Sequence, residues 1–263
     1  FRFNGFKTKN SSLKKEMRRY YTRACNFYYG NESRLLVNSN KSIPLNGNIN
    51  ISFDHIEIKS RTSKKKIPIN KINSLAKSLK KLIKLDLEKI RSKKKNFSNL
   101  NFIQIPNIMG VLNLTPDSFS DGGKFNTKNK GLKHSLEMYN SGANVIDIGG
   151  ESSRPGSKPI DDKIEWKRIE KIIKLICKKI PISLDTRKSE VMKRGIRQGA
   201  KIINDVAGLD YEPETINVLK KYKIPYVIQH SQGTPEKMQN KSRYNNELLD
   251  IFDFYDIIIK FLK

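Results

Sequence analysis

From about residue 102 onward, short apolar runs alternate with longer stretches in which apolar residues recur at helical spacing. The short runs, at 105–112, 144–148, 181–185, 201–206 and 225–230, predict strands; the longer ones, at roughly 128–141, 161–179, 188–198, 213–222 and 245–262, predict helices. Strands and helices taking turns in this way imply a parallel sheet covered by helices. Two junctions echo each other, Gly142-Ala143-Asn144-Val145-Ile146-Asp147 and Gly199-Ala200-Lys201-Ile202-Ile203-Asn204-Asp205. In each, a glycine ends a helix, where left-handed backbone costs least, and a small residue and an apolar strand follow. This repeat suits a barrel of similar βα units better than a doubly wound sheet, and the chain has no Gly-x-Gly-x-x-Gly or phosphate-loop motif.

Residues 17–101 have a different texture. A strand is predicted over 20–29, a polar loop with Pro44 and Gly47 over 38–50, and a half-buried alternating strand over 51–58. A helix with a lysine-rich outer face follows over 72–90, then a charged linker over 91–101. This is a small α/β appendage without a chemical signature, and His55 in its strand reads as structural. Residues 1–16, which precede Met17, are set aside as a non-structural extension, leaving 102–263 as the larger domain.

The 263 residues suffice for one large domain plus an appendage, and the 37% hydrophobic content is low enough that the core must concentrate in the later part. Cys25 and Cys177 form neither a disulfide framework nor a metal pattern. No stretch approaches the roughly 18 apolar residues of a membrane span, and Phe1-Arg2-Phe3-Asn4-Gly5 does not begin a signal peptide. A cytoplasmic protein with no membrane partner is expected. The net charge of +26 raises the question of nucleic acid. Lysine, asparagine and isoleucine are swollen together, as in an AT-rich genome, and aromatic residues do not interleave with the basic runs as a stacking surface requires. No nucleic-acid partner is expected; the positive potential still favours anionic substrates.

In a βα barrel the chemistry stands at the carboxyl ends of the strands. The first predicted strand is followed by Asn113-Leu114-Thr115-Pro116-Asp117-Ser118-Phe119-Ser120-Asp121-Gly122-Gly123, a composition that suits a glycine-hinged lid. The second ends in Asp147, then Gly149-Gly150-Glu151-Ser152-Ser153-Arg154-Pro155-Gly156, a rigid turn offering one cation and several donors to an anionic ligand. The third ends in Asp185-Thr186-Arg187-Lys188, the fourth in Asn204-Asp205 and the fifth in Gln229-His230-Ser231. Asp185 and Asn204, closing adjacent apolar strands, need partners there. Either they bond neighbouring loop backbone or they line the edge of a flat heterocycle.

Residues 109–123 resemble the first signature of the dihydropteroate synthases, and Ile148-Gly149-Gly150-Glu151-Ser152-Ser153-Arg154-Pro155-Gly156 resembles the second. Ser183-Leu184-Asp185-Thr186 and Ile203-Asn204-Asp205-Val206 are similar to the family's third and fourth strand ends. The resemblance implies an α/β fold, a (β/α)8 TIM barrel, and a transferase of folate biosynthesis. That reaction joins 6-hydroxymethyl-7,8-dihydropterin pyrophosphate to 4-aminobenzoate, giving dihydropteroate and pyrophosphate. By position, it implies that Asn113 contacts Mg²⁺, that Asp185 and Asn204 bind the pterin, and that Ser153, Arg154 and Pro155 shape the second loop. Asp121 and Phe119 would close over the site, with Asp121 and Arg154 in catalytic roles. A homodimer is compatible with the family. The fifth strand end departs from the family by carrying Gln229 and Ser231 around His230 where methionines are usual, and Ser153 stands where threonine is commoner. The family's glycine-rich loop after strand six, its Ser-Arg-Lys and its Arg-x-His do not occur. The expectation is therefore a C-terminally truncated chain with about the first five βα units, inactive by itself. A pterin-binding methyltransferase domain and an inactive binding paralogue are the alternatives.

Overall fold

The structure, a computed structural model, describes residues 20–96, 106–115, 130–152, 157–230 and 244–262. The described residues fall into two compact units: 20–95 with 246–253, and 96–245 with 254–262. Among them no helix is long and apolar enough to cross a membrane.

The smaller unit is an antiparallel sheet with helices. Strands β1 (Tyr21–Tyr29), β2 (Ile43–Leu45) and β4 (Lys64–Pro68) all pair with the long β3 (Asn48–Lys59). Phe53, Ile56, Ile58 and Ile67 of the sheet pack on Ile83 and Leu87 of α2 (Lys77–Arg91). The loop predicted over 38–50 is wrong: it contains β2 and the start of β3, and a helix, α1 (Gly30–Asn38), precedes it. Apolar periodicity does not reveal α1 because the residue it buries is Ser33, whose hydroxyl donates to Ile49 O and lies 2.8 Å from Ser52 Oγ, while Leu35 is 71% exposed. The helix predicted over 72–90 starts at Lys77; Ile69–Ser74 is a 3-10 turn that buries Ile72, and Leu75 between them is extended. Strand β4 was hidden by its lysines, since only Ile67 of Lys64–Pro68 is buried. In this unit Arg61 pairs with Asp250 and Asp253, and the Tyr21 hydroxyl donates to the Asp253 carboxylate at 2.9 Å.

The larger unit carries β5 (Met109–Asn113), β6 (Val145–Gly149), β7 (Ile182–Asp185), β8 (Ile202–Asp205) and β9 (Tyr226–Ile228), which form one parallel sheet in chain order. Helices α3 (Lys130–Asn140), α4 (Asp162–Ile176), α5 (Ser189–Gln198) and α6 (Glu214–Tyr222) connect them; of α7 (Glu247–Leu262), residues 247–253 belong to the smaller unit and 254–262 to the larger. The first strand begins later than predicted. Ile108 is exposed, and its N–H and C=O are taken by the side chain and N–H of Asn144 instead of a ladder. Gly142 and Gly199 hold φ of 108° and 115°, as the repeated helix ends require. The Asp161 carboxylate caps α4 by accepting from Lys163 N at 2.8 Å, with Asp162 and Glu165 adding negative charge to its first turn.

Side chains alternate across each strand. Leu112, Ile146, Ile148, Ile182, Leu184 and Ile203 face the helices and pack on Ile169, Ile172, Ile173 and Ile176 of α4, Val191 and Met192 of α5, and Val218 of α6. Each such side chain stabilises the fold by roughly 1.5–3 kcal/mol. On the other face Val145 and Ile202 are buried apolar residues, while Asp147, Ser183, Asp185 and Asn204, toward the carboxyl ends, are polar. Parallel sheets ordinarily carry apolar residues on both faces, so this polar end of the second face is spent on something other than stability.

Gly150 lets α4 approach the end of β6. A β-carbon there would lie 2.8 Å from the Glu165 carbonyl oxygen and 3.0 Å from Ile169 Cγ2. Gly150→Ala is expected to destabilise the protein by about 1–3 kcal/mol, read as a lower urea midpoint at unchanged slope. An unaltered midpoint would mean that the helix yields freely.

Candidate functional site

Parallel register brings the strand ends together. Asn113 pairs with Gly149, Gly149 with Asp185, and Asp185 with Asn204, so four strands contribute one row of residues at their carboxyl ends. Gly149 is the gap in this row: a β-carbon on it would come within 3.1 Å of Asp185 Oδ2 and 3.4 Å of Asn113 Oδ1. Two residues back, on the same face of β6, stands Asp147, buried and paired with Ser183 in the ladder.

Among the described residues the Asn204 amide bonds a side chain and not loop backbone: its Nδ2 donates to Asp147 Oδ2 at 2.9 Å. Because a carboxylate only accepts, this contact fixes which end of the amide donates and leaves Oδ1 as its acceptor. Asp205 faces the other way and is structural. Its carboxylate accepts from Ala207 N at 2.8 Å, from Leu209 N at 3.0 Å and from the Tyr226 hydroxyl.

The site is crowded with acids. Burial, and then the nearby charges of Asp147, Glu165, Asp205 and Glu151, push the Asp185 carboxyl up to about 8. Asp185 keeps some solvent exposure, but protein crowds it on most sides. Burial also raises Asp147; the Ser183 hydroxyl and the Asn204 amide oppose the shift without reversing it, and Ser183 stands near but outside hydrogen-bonding geometry. Such a face, with carboxyls poised to become anions beside an amide acceptor, suits a flat ligand rich in N–H donors and able to carry positive charge.

A second group of acids lies deeper and is neutralised. Arg187 Nε donates to Glu151 Oε2 at 2.8 Å, and Lys188 Nζ donates to Glu151 Oε1 at 2.8 Å and Glu165 Oε2 at 2.6 Å. Burial pushes the Glu151 carboxyl up, but the bonds from Arg187, Lys188 and Ile160 N–H outweigh it and hold the group below the usual carboxylate range. Burial wins at Glu165, which is raised although Lys188 opposes the shift.

Of the residues singled out in the sequence, Asn113, Asp185 and Asn204 share the row, whereas Phe119, Asp121, Ser153, Arg154 and Pro155 lie outside the described residues. His230 Nε2 is 3.0 Å from the Tyr244 hydroxyl, its ring is edge-on to Phe254, and burial lowers its pKa. The sequence placed Asp147 and Lys188 at strand ends without giving either a partner, and it did not single out Glu165, the buried acid of α4 that Lys188 pairs with. Among the described residues no three His, Cys, Asp or Glu side chains are grouped to hold a metal.

Residues 109–255 match the family described as "Pterin binding enzyme". The chain is 39% identical over 150 residues to a protein named dihydropteroate synthase from Synechocystis sp., a match that covers 56% of this chain and 52% of that one. Among solved structures it is similar to the dihydropteroate synthase of Yersinia pestis, crystallised with a sulfonamide drug. The TM-score is 0.57 and the identity 36%, covering 60% of this chain and 57% of the other. A synthase from Xanthomonas albilineans with 4-aminobenzoic acid gives a TM-score of 0.52 at 32% identity over 60% and 56% of the two chains. The chain thus spans about half the length of the curated relatives it matches.

The raised Asp185 pKa carries a stability consequence. An unfolded carboxyl loses its proton near 3.8, the folded one near 8. Between these values the folded chain holds the extra proton, so this group's contribution falls as pH rises. Asp185→Asn keeps the neutral shape and removes that slope. The variant is expected to melt close to the wild-type temperature at about pH 4 and progressively above it as pH rises to about 8. Parallel melting curves across this window would show that Asp185 ionises normally.

Proposed function

Because the chain belongs to the pterin binding enzymes, we propose that it supplies the pterin-binding side of a dihydropteroate synthase, on a sheet that forms part of a (β/α)8 barrel. The substrates in this reading are 6-hydroxymethyl-7,8-dihydropterin pyrophosphate and 4-aminobenzoate. The observation that carries it is the row Asn113–Gly149–Asp185–Asn204, with Asp147 fixing the Asn204 amide. The 4-aminobenzoic acid named with the Xanthomonas relative supports the second substrate.

Asp185 and Asn204 accept from the N–H edge of the pterin, and the gap at Gly149 leaves room for the flat ring. The amine of 4-aminobenzoate attacks the exocyclic methylene carbon with its lone pair. The carbon–oxygen bond breaks, its electrons leave with pyrophosphate, and the nitrogen then sheds a proton to solvent. Positive charge gathers on the pterin as the bond stretches, and it draws Asp185 into its anionic form, where it is most stabilising. A neutral aniline-type nucleophile needs no strong base, in keeping with the lack of a Ser/His/Asp set in the motifs. Arg154 and Ser153 would meet the leaving group and aminobenzoate from the second loop, and Asp121 and Phe119 would cover the site from the first.

Asn113 fits a Mg²⁺ role. It offers a neutral oxygen at the end of the row, and Mg²⁺ characteristically takes one or two protein oxygens with substrate phosphates and waters completing the shell. When bound, the ion would neutralise charge on the departing pyrophosphate.

The test is dihydropteroate formation by the full-length protein from the two substrates, with pyrophosphate release measured in parallel. Asp185→Ala is expected to lower the rate on the order of 10²-fold through loss of a charged hydrogen bond. Near-normal turnover and pterin affinity in that variant would overturn the assignment. Asn113→Ala is expected to weaken Mg²⁺-dependent pyrophosphate binding; an unchanged metal dependence excludes the role.

A further inference from the structure

The segment joining β6 to α4 leaves the sheet at Gly149 and re-enters regular structure at Asp162. Its two described ends are tied to one another. Ile160 N–H donates to Glu151 Oε1 at 3.0 Å, and the Ser157 hydroxyl donates to Ser152 O at 2.7 Å. Glu151 is also held from outside the segment: its two oxygens take Arg187 and Lys188, which stand two and three residues after Asp185, just past the end of the next strand. Lys188 is anchored in turn by Glu165 inside α4, and the Arg187 guanidinium lies 4.3 Å from the centre of the Tyr211 ring in the loop after β8. One carboxylate therefore receives bonds from its own loop and from the next strand end, and that strand end reaches a third loop.

We propose that Glu151 is a positioning residue that ties the two described ends of the β6–α4 segment to one another and moors them to the Asp185 strand end. Its charge is what the arrangement requires. A carboxylate offers two equivalent oxygens to two cations and one backbone N–H. A glutamine in its place has one acceptor oxygen for the same three donors and turns an NH₂ group toward a cation. Burial raises the stakes, because an unpaired cation in this position has no water to fall back on. In sequence, Ser153 and Arg154 lie between those two ends, so the effect on catalysis rests on the function proposed above, whereas the mooring itself does not.

Amide hydrogen exchange and steady-state kinetics on Glu151→Gln in the full-length protein separate the two. The Ile160 amide is expected to exchange at least about 10-fold faster than in wild type through local opening. The Lys163 amide, bonded to Asp161, and the Leu184 amide within β7 should keep their wild-type rates. In the synthase assay kcat should fall about 10-fold or more while KM for the pterin substrate stays within about twofold, since the row that holds the ring is untouched. An unchanged Ile160 rate overturns the proposal, and so does equal acceleration at Leu184, which would make Glu151 a general stabiliser. If Glu151→Gln does not fold, Arg187→Gln, which leaves the Lys188 pair, is read by the same three amides and the same kinetic split. A wild-type protein without condensation activity would refute the proposed function and leave the exchange comparison to decide on Glu151.

Discussion

Evenly spaced hydrogen bonds between parallel strands fix which residue stands beside which, and in this protein everything chemical follows from that register. Asn113, Gly149, Asp185 and Asn204 are far apart in the chain, yet the ladder lays them side by side. A slip of one residue in any strand would turn its polar group into the helix layer and an isoleucine or leucine into the site. The apolar alternation that buries Ile146, Ile148, Ile182 and Leu184 under the helices is thus also what aims Asp147 and Asp185 the other way.

Two populations of buried acid share this end of the sheet and are treated oppositely. Glu151 and Glu165 are matched by Arg187 and Lys188, and their charge is consumed in holding segments together. Asp147 and Asp185 are given an amide and a hydroxyl as neighbours and no cation among the described side chains that contact them. The first arrangement fixes structure. Under the proposed function, the second would release free energy when a ligand brings the missing positive charge, as sites do that bind a developing cation more tightly than its precursor.

Much of this was legible in the residues. The glycine-terminated helices and the apolar strands located the sheet, and the polar residues closing those strands located the row. What stayed hidden was polar burial. Helix α1 turns Ser33 inward, and β4 is three lysines around one useful isoleucine, so neither shows an apolar rhythm. Lys188 stands in a chain so rich in lysine that composition gives no reason to single it out, and its partner Glu165 lies more than twenty positions away. Pairings of that kind depend on where helices come to rest, which a one-dimensional pattern does not encode.

The buried amine of Lys188 sets it apart from lysines on the surface. Surface lysines can come and go with the nucleotide bias of a genome, because each trades one solvated charge for another polar group. Lys188, with a side chain 7% exposed between two carboxylates, has no such freedom. It is also shielded: an acylating reagent needs a free, deprotonated amine in contact with water; burial keeps water out, and Glu165 and Glu151 hold the amine protonated against the opposing effect of that burial. Modification of Lys188 would then proceed only when this end of the sheet comes apart, making one ordinary lysine a clock for the opening of the fold.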